Sequence, residues 1–306
     1  MAKAAGGEPG AYAGLTDEHG RWNGIVRELQ GDTLTAPLRW RQPRRVFVNS
    51  MSDLFHEALP DSAIDRIFAV MMTAHWHTFQ VLTKRAERMH AYFQQVLAEK
   101  DMQRWINAAG DLGIEVTVED FPLPNVWLLV SVEDQQRADE RIPLLLDTPA
   151  VVRGISAEPL LGPINLGVHA VDPTVPMEYG QQFHGNRIGP GGLDWVVVGG
   201  ESGPGARPCD LAWVRAIVAQ CIRTHTPVFV KQLGAWIAGE WPETNGRVVV
   251  DRWLLADGSV WVPGVIGEHN YRRPEGAVAF RLFDAKGGNP AEWPTDLRVR
   301  QWPTGA

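Results

Sequence analysis

The chain has 306 residues, 44% hydrophobic and 21% charged, enough apolar material for a large buried core and too much for a disordered or fibrous protein. Its 36 acidic and 29 basic residues leave a formal net charge of −7, the wrong sign for a protein whose main task is coating nucleic acid. Two cysteines, Cys209 and Cys221, make neither a disulfide framework nor a self-sufficient zinc or iron–sulfur site, so a reducing, cytoplasmic setting is expected.

Residues 1–20 are rich in Gly, Ala and Pro, carry no helical or strand period, and read as a loose lead-in without the apolar stretch of a signal peptide. No apolar run approaches the ~18 residues of a membrane span, so no membrane association is expected. Arg39, Arg41, Arg44 and Arg45 form a local basic cluster, read as a solvated approach to the first strand, with a phosphate or RNA contact as the minor alternative.

From Val46 onward a unit repeats: a short apolar run, a few polar residues, then an amphipathic helix. Val46-Phe47-Val48 runs into Asn49-Ser50-Met51-Ser52-Asp53. The helix after it is expected to start with Asp61 as N-cap and to bury Ile64, Ile67, Phe68 and Met71. Residues 78–82 form a second run, ending at Thr83-Lys84-Arg85. The helix behind it carries Met89, Tyr92, Phe93, Val96 and Leu97 on one stripe, and a further helix is expected around Met102, Trp105, Ile106 and Ala109. The third run, 125–130, ends at Ser131-Val132-Glu133-Asp134, with Ala138, Ile142 and Leu145 inward on the next helix. The fourth, 151–155, ends at Ser156-Ala157-Glu158-Pro159, and a Gly/Pro-rich insertion follows at 162–193. The fifth, 195–198, ends at Gly199-Gly200-Glu201-Ser202-Gly203. The helix behind Asp210 should bury Leu211, Val214, Val218, Cys221 and Ile222, and the sixth run, 228–230, ends at Lys231-Gln232.

Runs that are apolar throughout suit strands covered on both faces, and strand–helix alternation implies parallel pairing. The expected fold is therefore α/β: a parallel (β/α) barrel or partial barrel over residues 21–235, with an open doubly wound sheet as the alternative. Residues 236–306 lose the pattern. Runs at 247–250 and 259–262 flank Ala256-Asp257-Gly258, a hairpin signal, and the region reads as a C-terminal β-hairpin appendage packed on the barrel.

In a parallel barrel the carboxyl ends of all strands open on one face. Placing the six runs there gathers candidate catalytic groups Lys84, Glu133, Glu158 and Lys231, and candidate cofactor-binding groups Asn49, Ser50, Asp53, Ser131, Ser156, Gly199, Gly200, Glu201 and Ser202. Mixed carboxylates, cations and hydroxyls can orient a polar ligand and serve acid–base steps. The 199–205 glycine turn allows close approach of backbone to an anion, although it is neither a Walker loop nor a full dinucleotide fingerprint. No metal-ligand set is read. His75 and His77 precede the second strand and belong to the opposite, stability face, and His56 is better placed. His169 and His184 fall in the long insertion. Cys221 reads as a core thiol, whereas Cys209 stands just before a helix, where a thiolate is favoured.

Several of these segments occur in register with a known family: Phe47-Val48-Asn49-Ser50-Met51-Ser52-Asp53-Leu54-Phe55-His56, Gln80-Val81-Leu82-Thr83-Lys84-Arg85, Val130-Ser131-Val132-Glu133-Asp134-Gln135, Ile155-Ser156-Ala157-Glu158-Pro159-Leu160-Leu161-Gly162-Pro163, Val198-Gly199-Gly200-Glu201-Ser202-Gly203 and Phe229-Val230-Lys231-Gln232-Leu233-Gly234. From about Tyr12 to the C-terminus the chain resembles the phage gene product 37 family, the three-Cys-motif phage proteins, which look like divergent radical S-adenosylmethionine enzymes. The resemblance implies a barrel, S-adenosylmethionine, and a [4Fe–4S] cluster held by three cysteines near the N-terminus. Those cysteines are absent here, so a truncated or cluster-less form is expected, binding S-adenosylmethionine or a nucleotide at the strand-end face, with Gly199, Gly200 and Glu201 as the foremost contacts. Two readings stand beside it: a cluster-free hydrolase or lyase using Glu133, Glu158, Glu201 and Lys231, and a non-catalytic protein binding nucleic acid or another partner. Whether the chain is an enzyme, and its protein partners, stay open at this point.

Overall fold

A computed structural model describes residues 14–18, 23–28, 31–98, 102–116, 121–166, 192–239, 251–261 and 275–303. All six apolar runs are strands: β1 (Arg45–Val48), β2 (Thr78–Thr83), β3 (Val126–Ser131), β4 (Val152–Ala157), β5 (Trp195–Gly199) and, after a two-residue strand β6 (Cys209–Asp210), β7 (Val228–Gln232). They pair in parallel in the order β1-β2-β3-β4-β5-β7, and the sheet curls into a half-barrel. The central strands β3, β4 and β5 are buried at every residue, as unbroken apolar runs require.

Period-two alternation divides the strand residues between two cores. Phe79, Val81, Val126, Leu128, Val130, Ile155, Ala157, Val196, Val198, Val228 and Val230 join the main core with the helices. Trp127, Leu129, Val152, Trp195 and Val197 form a second cluster on the other, concave face. The helices are α1 (Asp61–Thr73), α2 (Ala86–Ala98), α3 (Gln103–Asp111), α4 (Gln135–Leu146) and α5 (Leu211–Arg223). Asp134 and Asp210 cap α4 and α5, accepting from Arg137 N and Ala212 N. Asp61 does not cap α1. It is the first helical residue, and its carboxylate pairs with Arg88 at 2.8 Å instead.

Buried polar groups tie the first three helices together. Tyr92 Oη donates to Asp65 Oδ1 (2.7 Å) and accepts from Trp105 Nε1 (2.7 Å), while Arg104 Nε also donates to Asp65 Oδ1 (2.7 Å). Burial, then the Asp65 hydrogen bond, raises the Tyr92 phenol above its usual range, so it stays a donor. Ile67 is only half-buried against the core, and two expected core residues are exposed: Leu97 at 42% in the last turn of α2 and Ile222 at 59% near the end of α5. Both extend an apolar stripe past the point where the sheet can cover it.

The C-terminal region is a second sheet, ordered β10-β9-β11-β8-β6, with β8 (Ile237–Ala238), β9 (Arg252–Leu255), β10 (Val260–Trp261) and β11 (Ala277–Arg281). The hairpin turn at Ala256-Asp257-Gly258 is present, but the first arm is β9, directly before the turn; residues 247–250 and Val262 lie outside the described residues. This sheet also takes in a strand from within the half-barrel segment: β6, between β5 and α5, pairs in parallel with β8. Most of the long insertion, including His169 and His184, also lies outside the described residues.

The C-terminal tail finishes the half-barrel. Val230 N donates to Val299 O and Gln301 N to Val228 O, both at 2.9 Å, so residues 299–301 line the free edge of β7. Trp302 then stacks on Trp195 (centroids 5.0 Å apart, 27°), packs on Phe229 and Trp127, and receives the Arg45 guanidinium 4.4 Å from its ring centroid. Arg45 begins β1 and Phe229 lies near the start of β7, so one indole joins the amino ends of the two edge strands. Replacing Trp302 with Ala is expected to cost about 2 kcal/mol, less than for a fully buried Trp because the ring is 38% exposed; urea denaturation measures it.

Candidate functional site

The alternation that builds the concave core continues past the strand ends. Leu82 leads to Lys84, Ser131 to Glu133, Ser156 to Glu158, Gly199 to Glu201 and Phe229 to Lys231, so the chain directs these charged side chains to the same side as the concave core. Register and loop bonds bring the ends together. Ser131 pairs with Ser156, Val132 N donates to Ser156 O (2.9 Å), Leu161 N to Glu133 O (2.8 Å) and Leu160 N to Gly199 O (2.9 Å).

The charges are matched. Lys84 Nζ lies 2.6 Å from Glu133 Oε1, and Arg141 of α4 reaches Glu133 Oε2 at 3.0 Å while donating to Ser131 O at 2.7 Å. Burial raises the Glu133 carboxyl, but the hydrogen bond and charge of Lys84 and the charge of Arg141 outweigh it, and its pKa is lowered. Lys231 Nζ lies 2.9 Å from Glu158 Oε2. In both pairs the carboxylate is largely covered, at 10% and 16% side-chain exposure, while the lysine is 56% and 55% exposed.

Glu201 is held by a fork: Arg207 Nε donates to Oε2 (2.7 Å) and Nη2 to Oε1 (2.9 Å), and Arg207 N adds a bond to Oε2 (2.9 Å). The Arg207 side chain, then its backbone N–H, pushes the Glu201 carboxyl down to about 2. Arg207 also feels the charge of Glu133, which links the Glu201 turn to the β3 end.

Other predicted residues are engaged by their own chain. Asp53 is a clamp: Oδ1 accepts from Thr83 Oγ1 (2.7 Å) and Phe55 N (2.9 Å), Oδ2 from Lys84 N (3.0 Å) and Arg85 Nη1 (3.1 Å). It locks the loop after β1 onto the end of β2, directly behind Lys84. Asn49, at φ 56°, donates to Ser52 Oγ (3.0 Å) and shapes the turn after β1. Ser50 and Ser202 are exposed, whereas Ser131 and Ser156 are buried on the concave side. At Gly200 the close approach is made by protein rather than left open for a ligand. A Cβ there would stand 2.3 Å from Leu233 O, Gln232 Nε2 donates to Gly200 O (2.9 Å), and Ala235 N to Glu201 O (2.7 Å). At Gly199 a Cβ would stand 3.4 Å from the Glu158 carboxyl carbon.

Away from this face, His77 is fully buried, accepting from Arg44 N at Nδ1 (3.1 Å) and donating from Nε2 to Pro37 O (3.0 Å). His56 Nδ1 accepts from Ala58 N (3.1 Å) within a turn. The basic cluster is occupied in part, Arg44 lying over Trp40 and Arg45 over Trp302. Cys209 stands before a helix, a position that favours a thiolate, but its thiol is buried in the second sheet, and burial, then Asp210, pushes it up to about 12; burial does the same to Cys221. Sequence reasoning missed Arg141, Arg207 and Gln80. The first two complete ion pairs from a helix and a loop, positions that strand-end patterning does not cover. Gln80 is a polar residue inside an apolar strand, a signal visible but not used.

Among the described residues no helix is long and apolar enough to cross a membrane. The model of a family described as "Protein of unknown function (DUF5131)" matches residues 6–273. No match was found among curated proteins or among solved structures.

Two outcomes test this geometry. Gly200→Ala should destabilise by about 3 kcal/mol in chemical denaturation, because the clash is with backbone that cannot swing away. Glu201 is depressed in the folded state, so the stability it contributes is present above its ordinary value of 4.5 and lost as pH falls toward 2. Thermal midpoints of wild type and Glu201→Gln should therefore differ at neutral pH and converge between about pH 4.5 and 2.

Proposed function

We propose, for a chain that belongs to the DUF5131 family, that the half-barrel binds a small ligand carrying both an ammonium group and an acidic group at the carboxyl ends of its parallel strands. The observation that carries this reading is the pair of asymmetric salt bridges Lys84–Glu133 and Lys231–Glu158. Each sets a largely covered carboxylate against a lysine whose head is more than half exposed. Exposed lysines contribute little to stability in such pairs. They can swing aside, leaving an ionised carboxylate for a ligand ammonium, and still reach the ligand's own acidic group. Arg141 keeps Glu133 charged in either arrangement.

S-adenosylmethionine, which the sequence resemblance implies, has such an amino-acid end. Glu133 and Glu158 would take its ammonium, and Lys84 or Lys231 its carboxylate. When bound it supplies an activated carbon–sulfur bond. An iron–sulfur cluster does not fit the thiols of this chain: Cys209 and Cys221 are both buried and both held protonated, and no step is routed through one. Because Glu133 is held ionised, its part here is to bind a cation rather than to donate a proton.

Calorimetric titration with methionine, the zwitterionic fragment, tests the reading. Wild type is expected to bind it, and Glu133→Gln and Glu158→Gln each to weaken it about tenfold, as loss of one charge-assisted hydrogen bond implies. Affinity should hold from neutral pH through the ordinary carboxylate value of 4.5 and fall below it, since Glu133 is depressed. Glutamine variants that bind methionine as tightly as wild type, or a wild type that does not bind it, overturn the reading.

A further inference from the structure

Gln80 stands apart on the concave face. Its neighbours Phe79 and Val81 belong to the helix-side core, so its own side chain projects to the opposite side, and register sets Phe47 of β1 and Trp127 of β3 beside it. The residue is only 9% exposed, and among the described residues its buried Nε2 has no hydrogen-bond partner. A buried amide donor left unpaired carries its whole desolvation cost, and native cores rarely leave one without a reason. The flanking Phe47 is unusual in the other direction: the residue is 48% exposed, and Met51 after the same strand is 64% exposed.

A solvent-facing ring beside an amide that lacks a partner is the chemistry that recognises a nucleobase. The ring stacks on the base, and a glutamine amide, donor and acceptor side by side, matches a base edge offering an acceptor next to a donor. Strand alternation and register place Trp127, Leu82 and Leu129 on the same face of the sheet as Gln80, apolar surroundings that strengthen a hydrogen bond made there. We infer that Gln80 and Phe47 form a base-binding subsite for a nucleoside ligand. The inference rests on the strand-end reading above and extends it. Gln80 lies on β2 four residues before Lys84, the residue that follows the strand, about 13 Å at strand rise, a span that a ribose and a short chain can bridge between a base at Gln80 and a charged end at Lys84 and Glu133.

The test is titration of the full chain, followed by tryptophan fluorescence and calorimetry, with adenosine, guanosine, cytidine, uridine, ribose and methionine. At least one nucleoside is expected to bind where ribose does not. Phe47→Ala and Gln80→Met should each weaken that nucleoside about tenfold, and Gln80→Glu, which keeps the shape and removes the donor, should do the same. Failure of all four nucleosides overturns the inference. So does a Gln80→Met variant that melts higher than wild type and binds the nucleoside unchanged, since the amide is then only an unpaired structural group. Methionine binding without nucleoside binding sinks this inference and leaves the strand-end reading standing; nucleoside binding without methionine does the reverse. The source of the base is read by competition with a short single-stranded RNA. With a net charge of −7 no displacement is expected, and salt-sensitive displacement would assign the base to a nucleic-acid strand.

Discussion

Parallel pairing is the constraint on which the rest of this structure depends. Every strand of the six-stranded sheet must return to the same end before pairing, so every carboxyl end emerges on one edge, and the described helices between the strands pack on the face opposite the concave core. Two-residue alternation then does the sorting. The positions that put Phe79, Val81, Leu128 and Val130 under the helices put Gln80, Trp127 and Leu129 on the concave side, and four residues on from Gln80 and from Leu129 the same phase delivers Lys84 and Glu133. The site is the continuation of the core pattern beyond the point where the strands stop being covered.

What holds that edge in shape is mostly the protein's own polar chemistry. Asp53 satisfies a hydroxyl, two backbone amides and a guanidinium at once, and so fixes the β1 loop against β2. Gly200 lets the loop after β7 pass at backbone contact, and Glu201 is gripped by Arg207 from three directions. Against that rigidity, the exposed ends of Lys84 and Lys231 are the parts with freedom to exchange partners. At the opposite end Trp302 packs across the concave aromatic cluster and meets Arg45, filling the amino-terminal side of the half-barrel with side chains.

Much of this was legible in sequence, for a definable reason. Runs such as Trp127-Leu128-Leu129-Val130 and Trp195-Val196-Val197-Val198 leave no polar face, which only a strand covered on both sides tolerates, and their polar termini marked the candidate face. Helix stripes were read correctly where the sheet lies beneath them and overextended at Leu97 and Ile222, where the helix outruns its cover. Asp61 has the residue type of a cap but stands one position inside the helix, with Arg88 competing for its carboxylate. The glycine turn was expected to make room for a ligand; at Gly200 the neighbour is Leu233 and Gly234, a fact of packing that no local motif encodes. The hairpin's turn was visible through its turn residues, but the pairing of β6 with β8 joins segments far apart in the chain, each only two residues long.

The sequence by itself determined the six strands of the parallel sheet, their parallel arrangement, and which charged residues stand at strand ends, because hydrophobic period and chain direction are local properties. Only the tertiary structure decided which charges pair, that Arg141 and Arg207 complete the ion pairs, that the Cys209 thiol is buried and protonated, and that the Gln80 amide faces inward without a partner. Those depend on distances between groups separated by many residues, and on how much water the folded chain leaves between them, and neither is written in any single segment.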